Sequence, residues 1–393
     1  MRKNVLTMVG LVLMLLLLAA LGSAQAEGAT YTVNTTSDTI DGLCDALSPT
    51  TDCTLRDAIQ VAGANSGIDT IAFDIPITDT NYGHNTTGVW TIVLSNTLGG
   101  PLGDIVDGTT QATNYGSDTN PYGPEIEISG ENLIPYATMW SIRYSNNTIK
   151  GLAINRGTGY GIFITDGDDN TIIGNYIGTD ATGTTDQGMV WQGILIGNGA
   201  QRNTIGGPSQ AERNIISGND GGIRIFGGTG TTTGNVIEGN YIGTDRTGIA
   251  ALGNGYGIQI HADAYDNTIG PNNVIAYNTG NGVVVNGANT NGNTITQNSI
   301  HSNGGLGINL INGGNDSILA PVISWNIRTS ASGTAPVAAT VELFTGPDDE
   351  GKTYLTTVSA DGSGNWSGSG FLADDTYLTA TATDAAGNTS EFS

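Results

Sequence analysis

Thr165-Asp166-Gly167-Asp168-Asp169 gathers three carboxylates into five residues. Two carboxylates at a set separation are what glycoside hydrolysis needs, one as acid and one as base or nucleophile. Oxygen-only side chains also suit calcium, the one ion this chain could hold. The third reading is an ordinary acidic turn. Asp166, Asp168 and Asp169 are thus the weak catalytic candidates, and no stronger set is legible. Arg202, Arg213 and Arg224 could supply the base of a lyase. However, Arg202 and Arg213 each precede an Asn at a turn, which predicts corner positions and pairing with Glu212 or a neighbouring Asp. Asp180 and Asp245 occupy the same place in two Gly-Asn-Tyr-Ile-Gly-Thr-Asp segments, and each is expected to bond its own turn. His84, His261 and His301 are dispersed without metal-ligand spacing, so no transition-metal site and no cofactor is expected.

The elements that must carry these residues repeat. Asn-Thr-Ile recurs at Asn147, Asn170, Asn203, Asn267 and Asn293. Gly161, Gly193, Gly222, Gly257, Gly282 and Gly307 open the short strands IFI, ILI, IRI, IQI, VVV and INL. The steps between them are 32, 29, 35, 25 and 25 residues, the longer ones carrying an added loop. Steps this short, each with one apolar face, predict a solenoid whose coils bury their strands only against one another. A propeller blade needs ~40–45 residues. The expected fold is all-β: a parallel β-helix with interior columns Ile162, Ile194, Ile223, Ile258, Val283, Ile308 and Ile164, Ile196, Ile225, Ile260, Val285, Leu310. The turn asparagines are expected to bond from coil to coil as ladders.

The residues between these columns point outward: Phe163, Leu195, Arg224, Gln259, Val284 and Asn309. Either the long GTDxTG loop, with Trp191, folds over them, or they line a groove for a glycan or a partner protein. Phe163, Leu195, Trp191 and Arg224 are therefore the binding-surface candidates.

The ends differ from the middle. Residues 1–26 read as a secretory signal peptide: Arg2 and Lys3, a Leu-rich core, then Ala24-Gln25-Ala26. No second hydrophobic span follows, so the exported chain is expected to be secreted or held at the cell surface, with no membrane span after cleavage. Without the leader, ten basic residues stand against 36 acidic ones. That balance excludes nucleic acid and anionic membranes as partners, and disfavours acidic polysaccharides unless arginines gather locally. Cys44 and Cys53 are the only cysteines, and in an exported chain predict one disulfide. Thr54-Leu-Arg-Asp57 reads as a capping box opening a helix to about Ala62, with Leu55, Ala58, Ile59 and Ala62 on one face to cover the end of the stack. After Leu319 the strands become longer and Thr-rich, predicting a small β-sandwich. The expected organisation is 1–26 leader, 27–68 cap, 69–319 β-helix and 320–393 sandwich.

The stretch DGLCDALSPTTDCTLRDAIQ resembles the CSLREA domain of secreted bacterial proteins, its motif standing here as Cys53-Thr54-Leu55-Arg56-Asp57-Ala58. The segments NTIKGLAINR and GNYIGTDATGT are similar to the coils of those proteins, and TATATDAAGNTSEFS to their Ig-like module. The resemblance implies a right-handed, pectin-lyase-like β-helix with an N-terminal helical cap and a C-terminal Ig-like sandwich, and it implies no activity. The Gly-His-Gly and Arg-Ile-Lys segments of polygalacturonases are absent; Arg224-Ile-Phe is the nearest echo of the second. The leading expectation is an exported, non-enzymatic β-helix of the surface or matrix, adhesive or glycan-binding, its partner a polysaccharide or another surface protein. The alternative is a polysaccharide lyase or glycoside hydrolase.

Overall fold

The structure is a computed structural model that describes residues 28–46, 52–327, 329–370 and 377–393, with the backbone alone for 325–327. The expected leader, 1–26, lies outside the described residues.

Each coil crosses three parallel sheets in turn. The Gly-Ile-x-Ile strands form an eight-stranded sheet from Leu98–Gly99 to Ile308–Ile311. The Asn-Thr-Ile strands form a nine-stranded sheet from Thr30–Val33 to Thr294–Ile295, and the third sheet runs through eight strands from Trp90–Val93 to Ser299–His301. The chain is therefore a parallel β-helix. The irregular text of 69–146 supplies its first coils, with Thr70–Phe73, Trp90–Val93, Ile105–Asp107 and Ile126–Ser129 as strands of these sheets.

The interior is the stack of columns. Ile162 faces Ile194, Ile194 faces Ile223, Ile223 faces Ile258, Ile258 faces Val283 and Val283 faces Ile308. These side chains belong to one apolar cluster running from the first strand to the last coil. Strands this short expose backbone polar groups at every corner, and buried ones must find partners. Asparagine supplies them. The Asn170 side-chain oxygen accepts both the backbone N–H and the side-chain amide of Asn147, at 2.9 and 2.8 Å. The same pattern continues through Asn203, Asn235, Asn267 and Asn293, and Asn315 accepts the last backbone N–H. A second ladder runs Asn175, Asn214, Asn240, Asn273, Asn298, and a third Asn219, Asn254, Asn278, Asn303.

Both ends of the stack are closed. Helix α1, Leu55–Ala62, begins at Thr54, whose hydroxyl accepts the Asp57 N–H, and buries Leu55, Ala58, Ile59 and Ala62 in the core cluster. Cys44 and Cys53 form a disulfide. Arg56 grips Asp38 with Nε and Nη2 at 3.0 and 2.9 Å and reaches the carbonyls of Asn96 and Thr97. A second short helix, α2 (Thr110–Tyr115), has no counterpart in the sequence expectation. Its Gln111 amide takes both the N–H and the carbonyl of Ile75, standing in for a strand neighbour. At the other end, six antiparallel strands among the described residues form two three-stranded sheets around Val341, Leu343, Trp366 and Ala380. This module covers the last coil.

Candidate functional site

The carboxylates of the Asp166–Asp169 turn do not converge on open space. Arg202, one coil on, grips Asp169 with Nε and Nη2, both at 2.8 Å, and reaches Asp168 at 3.1 Å. The other Asp168 oxygen accepts the Gln201 N–H, and Asp166 accepts from the Thr165 hydroxyl. Hydrogen bonds from Arg202 hold the Asp169 carboxyl below its ordinary range. A general acid needs the opposite shift. The expected corner pairing of Arg202 is thus present. Arg213 differs: it donates to the Gly239 carbonyl and the Tyr241 hydroxyl, both at 3.0 Å, with its guanidinium 4.1 Å from the Tyr241 ring centre. Glu212 is taken up by Ser209 instead. Asp180 and Asp245 bond their own turns, Asp180 accepting the N–H groups of Thr184 and Thr185 and Asp245 those of Thr247, Ile249 and Ala250. Among the described residues no three His, Cys, Asp or Glu side chains gather as metal ligands.

The outward column of the Gly-Ile-x-Ile sheet is a different kind of surface. Phe163 faces Leu195, Leu195 faces Arg224, and Arg224 faces Gln259. The GTDxTG stretch itself is bonded away from this column. Its contacts are with Asn120, Tyr176 and the equivalent loop one pair of coils on, where the Arg246 N–H donates to the Gly183 carbonyl at 3.0 Å. Trp191, at the far end of that segment, returns to the sheet. There it packs 4.7 Å from Tyr160 and stacks on Tyr136 at 5.5 Å with 19° between the planes. Tyr160 continues to Phe163 at 5.7 Å. Four aromatic rings thus form a ledge along the start of this face, and Tyr136 at its outer end is 64% exposed. Leu195 is only 6% exposed and floors the ledge rather than lining it.

Polar groups flank the rings. Tyr160, Gln192, Gly221 and Tyr256 each stand two residues before the first inward Ile of their coils. Gly221 is required here, since a Cβ would lie 2.4 Å from the Tyr256 ring. Burial pushes the Tyr256 hydroxyl up to about 12, with Arg224 and Gln192 opposing and Asp220 and Tyr160 adding to the rise. Beyond it, Arg224 donates from Nε to His261 Nε2 at 2.5 Å. His261 therefore accepts, as the neutral ring, and burial together with Arg224 pushes it down to about 4. Phe226 backs the pair, 5.2 Å from His261 and 5.7 Å from the guanidinium.

Of the sequence candidates, the structure brings Phe163, Trp191, Leu195 and Arg224 onto one face. It adds Tyr136, Tyr160, Tyr256 and His261. Tyr160 and Tyr256 carried a readable signal, the repeated Gly-Tyr-Gly-Ile at 159–162 and 255–258. Tyr136 carried none, because it arrives from the preceding coil. A second feature had no signal: Asp118 and Glu125 line a cavity of about 280 Å³ with Tyr176, Gln210 and Arg213. Burial raises the Glu125 carboxyl, with Asp118 adding to the rise, and bonds from Thr119 oppose it.

No family model matches the chain, and no curated protein does. Among solved structures it is similar to ORF18 of Geobacillus virus E2, at 12% identity over 93% of this chain and 75% of that one, TM-score 0.33. It is also similar to the Dettilon tailspike protein, at 13% identity over 90% and 92%, TM-score 0.25. A tailspike double mutant of E. coli bacteriophage HK620 in complex with a pentasaccharide follows at 9% identity over 81% and 75%, TM-score 0.23. The scores are low, and the architecture rests on this chain's own sheet topology. No helix among the described residues is long and apolar enough to cross a membrane.

Proposed function

We propose that this chain is an exported, non-catalytic β-helix protein that binds a glycan on the outer face of its Gly-Ile-x-Ile sheet. The observation that carries the reading is the ledge of Tyr136, Trp191, Tyr160 and Phe163, flanked by Arg224 and Gln259. Rigid aromatic faces suit the apolar face of a sugar ring, and a few placed polar groups suit its hydroxyls. A half-buried ring stack with one exposed end, on a chain this acidic, is otherwise a surface without a partner. A solenoid offers the same face over many coils, which suits a long polymer and an adhesive or matrix role. The test is a glycan array with the exported protein, then titration of the best binders against Trp191→Ala and Tyr136→Ala. Loss of saturable binding by both, with circular dichroism unchanged, supports the reading. Binding that neither change weakens overturns it.

One observation favours a second reading, a glycoside hydrolase. Asp118 and Glu125 share a cavity, and Glu125 has the raised carboxyl that a general acid needs. Sugar release by the parent protein, abolished in Glu125→Gln, would establish it.

A further inference from the structure

Arg224 is an unusual cation for this chain. Most other arginines near the sheets have a carboxylate or a close ring: Arg56 has Asp38, Arg156 Glu127, Arg202 Asp168 and Asp169, and Arg213 the Tyr241 ring at 4.1 Å, whereas the ring behind Arg224, Phe226, is 5.7 Å away. Carboxylates outnumber cations three to one, yet Arg224 makes no ion pair with one among the described residues. Its hydrogen-bond partner is a neutral imidazole, which takes Nε and leaves Nη1 and Nη2 without a partner among the described residues. An Arg held by Nε, with the Nη pair free, presents the planar fork that carboxylates accept bidentately. The side chain is half-buried, so its charge is only partly hydrated. It projects from the outer face of the sheet, in the same column as Phe163 and two strands away, about 10 Å by strand spacing. Tyr256 comes from the coil beyond Arg224, and its ring leans back over Gly221. Arg143, exposed and without an ion pair among the described residues, follows the strand Trp140–Ile142 on the other side of Phe163. The ledge is therefore flanked by arginines on a chain with three carboxylates to each cation. Asp220 approaches Tyr256 but does not pair with Arg224.

We infer that the glycan taken by this face is an acidic one, with a uronate or sialate carboxylate seated on the free fork of Arg224 while a neighbouring ring packs on the aromatic ledge. This inference rests on the glycan reading above and narrows it to a substrate class. Neutral sugars offer the Arg224 fork single hydroxyl acceptors but no planar, charged bidentate partner.

The experiment is titration of the exported protein with immobilised uronate- and sialate-containing oligosaccharides, each paired with its own methyl ester and accompanied by neutral oligosaccharides. Arg224→Gln, Arg224→Lys and Trp191→Ala are titrated alongside, with circular dichroism as the fold control. The acidic members are expected to bind and their esters to bind about ten-fold more weakly or worse. Arg224→Gln should lose the same factor for the acid and nothing for the ester. Arg224→Lys should recover only part, because an ammonium cannot form the fork. Trp191→Ala should weaken acid and ester alike. Equal binding of acid and ester, unchanged in Arg224→Gln but lost in Trp191→Ala, overturns the acidic-sugar inference and leaves the glycan reading standing. Binding to no member of the panel overturns both.

Discussion

Arg224 donates to a ring that can lose its acceptor. Burial, and behind it the two cations that protonation would set face to face, push the titration of His261 down to about 4. The folded state binds this proton less readily than the unfolded chain, so stability is full above about pH 6.5 and falls as pH drops toward 4. The Arg224–His261 pair is thus expected to stay intact, and glycan affinity to stay flat, from about pH 8 to about pH 5. An NMR titration of His261 checks it; a midpoint near the ordinary value would sink the pairing. The turn carboxylates make a second residue-scale prediction. Asp168→Asn with Asp169→Asn releases Arg202 from an exposed clasp. Hydrogen exchange at the turn should quicken, while glycan binding stays unchanged. Sugar release by the parent, abolished in the double variant with its fold intact, would contradict this and make the turn a catalytic site.

At the scale of one strand, inward and outward positions alternate, and neighbours in sequence have opposite sensitivities. Ile225 sits between Ile196 and Ile260 in the core, fully buried. Ile225→Asp puts a carboxylate there and should cost several kcal/mol or leave the group protonated. Arg224→Asp, one residue away, should leave the urea midpoint nearly unmoved while abolishing acid-sugar binding. Equal loss of stability from both would reverse the assignment of faces. The corners have their own requirement. Asn235 accepts the backbone N–H and side-chain amide of Asn203 at 3.0 and 2.9 Å, and is fully buried. Asn235→Leu strands both donors, at about 1–3 kcal/mol each. The exposed Asn289→Leu serves as control; an equal shift in urea midpoint would show that the ladder contributes nothing.

At the scale of the molecule, the C-terminal module closes the donor edge of the last coil with carboxylates. Glu342 accepts the Gln297 N–H, Asp348 that of Ser302, Glu350 that of Asn303 and Glu391 that of Leu310. Paired edges do not template aggregation. This explains part of the acidity that composition alone could assign only to solubility. Glu350 is 5% exposed, its second oxygen has no partner among the described residues, and burial, with Asp348 and Asp349 adding, pushes it up to about 7. Its folded value lies above its unfolded one. The junction is therefore strongest below about pH 4.5 and weakens as pH rises through about 7. Solvent screening brings the effect to about 1–2 kcal/mol. Glu350→Gln should raise the thermal midpoint at pH 8 and leave it unchanged at pH 4. A drop at pH 8 would mean the ionised carboxylate is the better acceptor.

What the sequence determined by itself was everything that repeats. Asn-Thr-Ile and Gly-Ile-x-Ile recur because identical positions stack, so one coil's pattern specified the columns, the ladders and the outward row of Phe163, Leu195 and Arg224. The cap helix was legible for a local reason, a Thr54 hydroxyl three residues ahead of the N–H it accepts. What lies between coils was decided only in three dimensions. Tyr136 and Trp191 are 55 residues apart in the chain, and no local rule brings them face to face. Loop lengths do, by setting where each coil re-enters the sheet. Arg213 took Tyr241 rather than Glu212, because the ring one coil on presents its face while Ser209 already holds the carboxylate. Helix α2 and the Asp118–Glu125 cavity arise from insertions that break the period, where a pattern-based reading has nothing to compare. The partner of Arg224 was invisible for the same reason: His261 lies 37 residues on, and only the register of two parallel strands makes them neighbours.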